Sequence, residues 1–417
     1  MSFHETPTPI DKRFFTTGVK ILIALMITGL SFGLYRMIFG LGSTTNLTDQ
    51  YPWGMWIGVD VASGVALAAG GFTTAFLAHI LHREHFHAIV RPALLTAMLG
   101  YTFVGIGLMF DLGRWYNIWH PALPMMWQGN SVLFEVGMCV MVYLTVLYIE
   151  FLPVVTERFI GQVNLPGMLS FFNEPIDRLL SFLDNILGKV MFVFVIAGVV
   201  LSCLHQSSLG TLMVISPYKM HPLYWSPLSP LFFLASAIAV GYPMVIFESM
   251  IASKSFGHKT EMDILTPLAK FIPYLLGSYI VLKIGDMIYR GTYVYLFEGS
   301  TQSRMFWLEF GILTVVPFLM LLSSRVRSSA GWLFTAATMY ILGVLLNRCA
   351  VFFVAYQPPF AEKAYFPAIG EFALTIGLIA TLMLVYRVFV SILPVIPAPE
   401  RGAISSDNAS IRIKQGI

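Results

Sequence analysis

Residues 189–214 read KVMFVFVIAGVVLSCLHQSSLGTLMV, and the only charged side chain in this stretch is the lysine at its start. A helix of this length rises about 39 Å, which is enough to cross a hydrocarbon core about 30 Å thick. Nine further stretches are similarly apolar, at about 18–39, 55–80, 93–111, 130–155, 229–252, 266–289, 304–323, 331–355 and 368–394. The pattern predicts an all-α polytopic membrane protein with ten transmembrane helices.

The composition of the 417-residue chain agrees with this class. Hydrophobic residues make up 57% of the chain, charged residues make up 11%, and the mean hydropathy is +0.76, which is too apolar for one water-soluble core. A net charge of +3 without a basic run argues against binding to nucleic acid. Cys139, Cys203 and Cys349 lie in apolar segments without CxxC spacing, so we expect no disulfide framework and no iron–sulfur cluster in this chain.

Lysine and arginine are distributed unevenly over the two predicted sides of the membrane. Seventeen of the 25 fall on the side that carries both termini and eight on the other side, which predicts cytoplasmic termini. The N-terminal residues are charged and lack a small-residue cleavage site, so the first helix is predicted to be retained. The loops on the opposite side are rich in tryptophan, tyrosine and proline. Interfacial anchoring is their ordinary role, and their concentration on one side also favours a platform for a partner protein.

Two pairs of similar segments indicate an internal repeat. GYTFVGIGLMFDLGR resembles GSYIVLKIGDMIYR, and SVLFEVGMCVMV resembles RMFWLEFGILTV; Asp111 and Asp286 lie 175 positions apart, and Glu135 and Glu309 lie 174 apart. We interpret this as duplication of a four-helix unit, although apolar helices also share residue types by chance. The predicted division is a cytoplasmic tail (1–17), a first transmembrane helix with its loop (18–54), two four-helix bundles (55–215 and 216–356), a last helix (357–397) and a disordered cytoplasmic tail (398–417). Apolar residues at helical spacing also predict a short surface helix over residues 174–187.

Eight carboxylates lie within or at the ends of the apolar stretches, where an acid costs a few kcal/mol unless it faces a bundle interior. They are Asp60, Asp111, Glu135, Glu150, Glu248, Asp286, Glu309 and Glu371. Asp60, Asp111, Arg114, Glu135 and His205 are predicted to converge near the extracytoplasmic end of the first bundle.

Two interpretations of that convergence stay open. Asp111 and Arg114, three positions apart on one helix face, fit a structural ion pair. The whole group also fits a pocket that exchanges protons with a bound redox molecule.

A second hypothesis concerns the acids that are predicted to lie toward either surface of the membrane. A transmembrane proton path could use Glu150, Glu248, Asp286 and Glu309, but snorkelling and internal salt bridges would explain the same residues.

The histidines argue against a haem in this chain. A b-type haem needs two histidines at matching depth on facing helices, and His79 and His205 fall at opposite ends of their spans. The HREHFH cluster at 82–87 could bind a metal, but surface histidines near headgroups are the commoner case. We therefore expect no haem and no metal site. Without a Walker A or GxGxxG sequence we expect no nucleotide site either.

Short motifs spread over the chain resemble those of the NrfD/PsrC family, most closely its ten-span, HybB-like members. They are FGLG (39–42), YPWGMWIGVDV (51–61), HAIVRPALLTAMLGY (87–101), DLGRWYN (111–117), NSVLFE (130–135), HQSSLG (205–210), YKMHPLY (218–224), MVIFE (244–248), IYRGTY (288–293), MFWLE (305–309) and AYFP (364–367). Members of this family are quinone-interacting membrane anchors, generally without cofactors of their own, of complexes whose iron–sulfur subunit docks on the periplasmic face.

The resemblance implies a subunit of a membrane-bound quinone oxidoreductase complex in the bacterial inner membrane, not active alone. Electrons would pass between a periplasmic ferredoxin-like iron–sulfur subunit, served by further catalytic or cytochrome subunits, and menaquinone or another quinone. Menaquinone reduction is favoured, and quinol oxidation stays open. The alternative from another class is a proton translocator or transporter without quinone chemistry, because the repeat and the buried acids would serve it too.

The resemblance also implies roles for residues of the first bundle. Glu135 and Asp111 are expected to donate protons to the reduced quinone oxygens, and His205 and Arg114 to orient the quinone or stabilise its anion. Asp60 corresponds to the acid that follows the PWG motif. The expected contacts with the quinone ring are Trp53, Trp56 and Tyr101.

Overall fold

The computed structural model describes residues 7–10, 12–257, 259–361 and 363–396. Ten helices in this part of the chain are long and apolar enough to cross a membrane, and the described residues form no β-sheet, so the predicted all-α class is confirmed. The tail predicted over 398–417 lies outside the described residues.

The ten spans are numbered here in chain order. They are α1 (Thr17–Phe39), α2 (Trp56–Ile80), α3 (Glu84–Asp111), α4 (Val132–Phe159), α5 (Gly167–Val214), α6 (Ser229–Phe256), α7 (Met262–Tyr289), α8 (Thr301–Leu322), α9 (Ala330–Val354) and α10 (Ile369–Ile392). Several are not uniform helices. Span α7 consists of two helices, Met262–Ala269 and Ile272–Tyr289, and α5 begins with a 3₁₀ turn over Gly167–Phe172.

Hydrogen bonds between loops define the two ends of the molecule. At one end, the α2–α3 connection meets the start of α7 through His85 Nε2 and the Asp263 carbonyl oxygen, 3.1 Å apart, and the Ile10 amide donates to the Val390 carbonyl. We call this the basic end. We call the other end the aromatic end. Here the His221 amide donates to the Ala355 carbonyl at 2.8 Å. The loops at this end are 40–55, 112–131, 215–228, 290–300 and 355–368.

We call the spans within 55–215 the first group and the spans within 216–356 the second group; the two are in extensive contact, because α5 packs on α6. Within 55–215, α2 packs on α3, α3 on α4 and α4 on α5, and within 216–356, α6 packs on α7 and α9, and α8 on α9. Span α2 also contacts α6 and α9. Span α1 packs mainly on α10, where a Cβ on Gly29 would lie 2.5 Å from the Gly377 Cα, so only glycine permits this approach. Span α10 in turn packs on α3, which places α1 and α10 together beside the first group.

Span α5 differs from the predicted separate surface helix and span. Its α-helical part runs without a break from Asn173 to Val214, 42 residues, or about 63 Å. Gly188, between the two predicted segments, does not end the helix, since one glycine costs only about 1 kcal/mol there. The predicted short helix is therefore the first part of one long helix that extends beyond the apolar span.

Two of the membrane acids lie in π-helical turns. Asp60 is part of the π-helical stretch Trp56–Ser63, and Glu309 is part of Trp307–Val315. A π-turn inserts a residue into the helix and is frequent at functional sites. Nothing in the apolar periodicity of the sequence indicates these turns, because one inserted residue barely disturbs a wholly apolar span.

Candidate functional site

Glu135 lies in the first turn of α4, close to the aromatic end. The helix begins after Ser131, whose hydroxyl accepts a hydrogen bond from the Phe134 amide at 3.3 Å. The sequence predicts a buried carboxylate about a turn and a half inside the span, but the Glu135 side chain is exposed on the isolated chain. The difference arises because α4 begins at Val132, so Glu135 belongs to its first turn. There the carboxylate is also favoured by the helix dipole.

The Glu135 carboxylate is held by a neighbouring helix. Ser208 Oγ on α5 donates to Glu135 Oε1 at 2.5 Å, and Ser208 itself is buried. No cation pairs with Glu135 among the described residues. The Glu135 carboxylate therefore lies at the surface of the helical bundle and contacts a polar residue of its interior.

Ser208 belongs to a polar face of α5 that we call the α5 ladder. It consists of Gly198, Ser202, His205 and Ser208, all buried and separated by three or four positions, so that they lie on one side of the helix. From Gly198 to Ser208 the ladder covers about 15 Å along the helix. It links Glu135 near the aromatic end to the middle of the membrane span.

Aromatic hydroxyls from α3 and α4 face the middle of the ladder. The Tyr101 hydroxyl lies 3.5 Å from His205 Nδ1, and the Tyr101 ring stands edge-on to Tyr143 with ring centroids 4.6 Å apart. Both tyrosines are buried. Ser202 and Gln206 lie beside the Tyr101 hydroxyl as well. The structure thus brings the predicted Tyr101 and His205 into one polar group on the interior side of Glu135.

Not every polar atom of this group has a partner. Tyr143 OH, Ser202 Oγ, His205 Nε2 and Gln206 Oε1 lack a well-aligned hydrogen bond among the described residues, but Ser202 lies within reach of both tyrosines and Gln206 within reach of Tyr101. His205 Nε2 is therefore the clearest unmatched atom. A buried polar atom without a partner costs about 1–3 kcal/mol, and native proteins contain few of them. The unmatched His205 nitrogen, one turn from Ser208, can form a hydrogen bond with a polar group of a ligand.

Glu150 lies at the inner end of the ladder. A Cβ on Gly198 would lie 2.5 Å from Glu150 Oε1, so glycine leaves the room that the carboxylate occupies. Glu150 also interacts electrostatically with Tyr143. The α4–α5 interface therefore carries one carboxylate at each end of the ladder.

Asp60 and Asp111 belong to a different interface. The Thr375 hydroxyl on α10 donates to Asp60 Oδ2 at 2.7 Å, and Gly107 on α3 gives Asp60 its space, since a Cβ there would lie 3.1 Å from the Asp60 Cβ. Asp111 interacts electrostatically with Asp60 and with Glu371. No hydrogen bond among the described residues connects this acid cluster with Glu135 or His205.

The cation next to Asp111 is not the predicted one. Arg114 is exposed in the loop that follows α3 and forms no ion pair within the described residues. The helix ends at Asp111, so the i, i+3 relation on one helix face does not exist. Instead Arg36 on α1, 1% exposed, interacts electrostatically with Asp111 and donates to the Leu112 carbonyl oxygen. The sequence feature that could have identified Arg36 is a single arginine near the end of an apolar span.

Glu371 completes the acid cluster and holds the start of α10. Its carboxylate accepts hydrogen bonds from the Ala368 amide at 2.7 Å, from the Asn46 amide at 3.3 Å and from the Tyr365 hydroxyl. The Tyr365 hydroxyl accepts in turn from the Met55 amide at 2.8 Å. These contacts describe a helix cap and a loop anchor.

The two tryptophans of the PWG motif are packing residues in the isolated chain. Trp56 is 1% exposed, and its indole N–H donates to the Glu371 carbonyl oxygen at 3.2 Å. Trp53 packs edge-on against Phe352, with ring centroids 5.9 Å apart, and close to Tyr356. Neither ring lies beside Glu135 or His205 in any described contact. The structure therefore separates Trp53 and Trp56 from Tyr101, the third predicted ring contact.

Acids of the second group have cations beside them. Asp286 forms a 2.8 Å salt bridge with Arg290 and accepts from the Ser226 hydroxyl at 2.9 Å. Glu309 interacts electrostatically with Lys283 and Arg348. The segment pairs of the predicted repeat thus differ in chemistry, since Asp286 is paired within its own helix whereas Asp111 depends on α1.

Arg348 is the centre of this charged core. It is 1% exposed, stacks on the Phe233 ring with its guanidinium carbon 3.8 Å from the centroid, and donates to Ser236 Oγ at 2.8 Å and to Asn347 Oδ1 at 2.9 Å. Such contacts offset most of the cost of burying a guanidinium.

Glu248, on α6, faces a cavity near the basic end. The Thr96 hydroxyl on α3 donates to its carboxylate, and the Tyr386 phenol on α10 lies next to it. The cavity is also lined by Ser253 and Lys259. Glu248 therefore lies between three helices, and the cavity connects it with the basic end.

The aromatic end carries one buried histidine outside the spans. His221 is 7% exposed, and its Nε2 lies 3.5 Å from Glu298 Oε2. Burial lowers the pKa of His221, and the neighbouring Glu298 opposes this shift in part. The loops of the aromatic end expose large side chains, among them Tyr116, Trp119, Met125, Trp127 and Tyr218.

Comparison with known proteins places these features among redox membrane subunits. The Escherichia coli protein named probable Ni/Fe-hydrogenase 2 b-type cytochrome subunit is 34% identical over 394 residues, which cover 94% of this chain and 95% of that protein. The menaquinone reductase integral membrane subunit of Nitratidesulfovibrio vulgaris is 24% identical, with 93% and 96% covered. A selenate reductase subunit of Mesobacillus selenatarsenatis is 23% identical, with 93% and 95% covered.

The b-type cytochrome in the first of these names calls for a test of haem ligands. The described ring contacts of His205 include Tyr101 and no second histidine. His79 and His87 stand edge-on with ring centroids 4.9 Å apart, which leaves no room for a porphyrin between them. The described residues do not fit a bis-histidine haem.

We accordingly expect the purified chain to show no Soret absorption. The measurement is an absorption spectrum of the dithionite-reduced protein, with a pyridine haemochrome assay as control for total haem. Haem in stoichiometric amount that stays with this chain after its partners are removed would contradict the prediction.

The family model described as polysulphide reductase, NrfD matches residues 43–359. This range contains both groups of four helices, the α5 ladder and most of the acid cluster. It leaves out α1 and α10, which supply Arg36, Thr375 and Glu371. The chain belongs to the NrfD family.

Proposed function

We propose that the protein is the quinone-interacting integral membrane subunit of a multi-subunit oxidoreductase. Its quinone site would lie at the part of the α5 ladder nearest the aromatic end. The relatives named above as subunits of hydrogenase, menaquinone reductase and selenate reductase support membership in a redox complex. The observation that carries the location is the exposed Glu135 carboxylate, hydrogen-bonded to buried Ser208, one helix turn from His205, whose Nε2 has no hydrogen-bond partner among the described residues.

The chemistry required of such a site is limited and fits these residues. Reduction of a quinone to a quinol takes two electrons and two protons, one for each ring oxygen. Glu135 can supply a proton at the bundle surface, where a lipid-soluble molecule arrives, and because it is exposed it can be reprotonated from water and supply the second proton in turn. The Tyr101 hydroxyl can donate a hydrogen bond to the other ring oxygen. His205 holds Tyr101 in place. The electrons come from a partner protein, so this chain supplies binding and protons.

Asp60, Asp111 and Arg114 have weaker support as quinone ligands. Asp60 and Asp111 face Thr375 and Arg36 in another interface, and Arg114 is exposed in a loop. We assign Asp60 and Asp111 to the attachment of α1 and α10 to the first group of helices. Arg114 then remains available to a partner protein at the aromatic end.

The aromatic end is the proposed docking face for the electron-donating partner. Seventeen of the 25 lysines and arginines are expected on the opposite, basic side, which under the positive-inside rule directs the aromatic end to the periplasm. The exposed aromatic side chains of loop 112–131 fit the apolar core of a protein interface. A periplasmic ferredoxin-like iron–sulfur subunit is the proposed partner, and menaquinone reduction the favoured direction in a bacterial inner membrane.

A proton-translocating role is the second candidate, and Glu248 is the observation that favours it. Glu248 lines a cavity near the basic end, Glu150 lies at the inner end of the ladder, and the two would relay protons between the sides of the membrane. Asp286 and Glu309 fit a relay less well because Arg290 and Lys283 lie next to them.

The experiment that tests the proposed function is purification of the intact complex from its native membrane. We expect an iron–sulfur protein in stoichiometric yield, and reduction of a menaquinone analogue by the complex but not by this chain alone. Reconstitution in liposomes with a pH dye inside gives the second readout, which reports whether turnover moves protons. A lone chain that transports protons or a solute without any partner would overturn the proposal and support the second candidate.

A further inference from the structure

We propose that a groove at the basic end binds the phosphate headgroup of an acidic phospholipid and joins the two groups of helices through it. The groove, of about 620 Å³, lies between the α2–α3 connection and the start of α7. Its lining consists of His82, Arg83, Glu84, His85, Phe86, Pro267, Lys270, Phe271 and Tyr274.

The charges that line the groove are not balanced within the chain. Arg83 and Lys270 are both exposed, and neither forms an ion pair with a carboxylate in the described residues. Glu84 is the one carboxylate in the lining, so two cations face one anion, and the His82 imidazole adds a donor. Basic pockets between membrane helices bind phosphate-bearing headgroups for this reason.

The backbone holds the basic side chains in position. His82 adopts a left-handed conformation with φ of 49°, which is uncommon for a residue other than glycine. His85 Nε2 lies 3.1 Å from the Asp263 carbonyl oxygen, and the Phe86 and Phe271 rings pack edge-on with centroids 6.4 Å apart. These contacts fix the α2–α3 connection against α7, so Arg83 and Lys270 are presented from the two groups of helices to the same space.

The groove opens toward the lipid-facing side of α7. Tyr274 at its edge is 78% exposed, and Val281 and Ile288 follow at intervals of seven residues, 71% and 63% exposed. Residues seven apart lie on the same side of a helix after two turns. This exposed apolar stripe begins at the groove and gives an acyl chain a continuous surface. A lipid, which carries both a phosphate and acyl chains, therefore fits the site better than a soluble anion.

The test compares lipids on the purified, delipidated protein within its complex. Tm is measured by scanning fluorimetry with added cardiolipin or phosphatidylglycerol, with phosphatidylcholine, and with inorganic phosphate, and native mass spectrometry counts retained lipid. We expect a higher Tm and a retained lipid with the acidic phospholipids alone. The double variant Arg83→Gln, Lys270→Gln should bind them about 30-fold more weakly, which corresponds to about 2 kcal/mol for two cations.

The matched control is Lys254→Gln, Arg325→Gln, which removes two exposed basic-end cations outside the groove. It should keep the lipid response of the unmodified protein. Equal loss of the response in both double variants would show a general charge effect and overturn the proposal. A Tm increase with inorganic phosphate equal to that with lipid would identify a soluble-anion site instead. All these readouts are independent of quinone turnover, so they stand or fall separately from the proposed function.

Discussion

Replacing Glu135 with glutamine is expected to lower quinone-coupled turnover of the complex by at least about 100-fold. A positioned general acid contributes about 10² to 10⁴ in rate, and glutamine keeps the shape and the Ser208 contact but cannot donate a proton in the same way. Reduction of a water-soluble dye by the partner subunits should stay unchanged, because it does not pass through this chain. The measurement is the ratio of menaquinone-analogue reduction to dye reduction in the same preparation.

Two further variants separate proton donation from positioning. Glu135→Asp keeps the acid and should restore part of the activity. Ser208→Ala removes the 2.5 Å hydrogen bond but leaves the carboxylate, and should lower turnover about tenfold, in line with about 1.5 kcal/mol for a bond to a charged group.

Glu174 supplies the control for a charge change on the same pair of helices. Glu174→Gln removes an acid that is 75% exposed and that pairs, within the described part of the chain, with Arg178 alone, so it should have no effect. Unchanged quinone activity in Glu135→Gln would remove the assignment of the site. The same loss in Asp60→Asn but not in Glu135→Gln would move the site to the α10 interface.

Arg348→Ala is expected to destabilise the protein by about 3–5 kcal/mol, because it leaves the buried Glu309 without one of its cations and creates a cavity against Phe233. The measurement is thermal or denaturant-induced unfolding in detergent. Arg304→Ala, which removes an exposed arginine of the same group of helices, is the control and should be close to neutral.

A paired replacement distinguishes a structural role from a proton relay. Arg348→Met with Glu309→Gln removes both charges and keeps most of the volume, and the buried Lys283 keeps Asp286 as a neighbouring carboxylate, so part of the lost stability should return. If the charged residues of the second group of helices have only a structural role, as their pairing favours, quinone turnover should return together with the stability. A stable double variant that lacks quinone turnover would show that Glu309 takes part in proton transfer.

The functional residues show what one sequence can predict about such a site. Glu135 and His205 are candidates because an acid or a histidine inside an apolar span is usually functional, and Tyr101 is a candidate because of the family resemblance; the roles of all three stay proposals. Arg36, Ser202 and Ser208 were missed as site residues, since an arginine near a span end or a serine in a helix gives no signal of its partner. The Asp111–Arg114 ion pair, one of the two interpretations left open, is not formed among the described residues, because it depended on where α3 ends, and helix ends are the least certain part of any sequence-based assignment.

The ten spans and the membrane class followed from the sequence alone, because the hydrocarbon core demands about 20 apolar residues for each crossing whatever the neighbouring helices do. The tertiary structure decided which polar residues meet. Contacts such as Glu135 with Ser208 or Asp60 with Thr375 join residues 73 and 315 positions apart. The sequence of a uniformly apolar helix does not indicate which face packs on which neighbouring helix, because lipid and protein are equally apolar surroundings for most of its side chains.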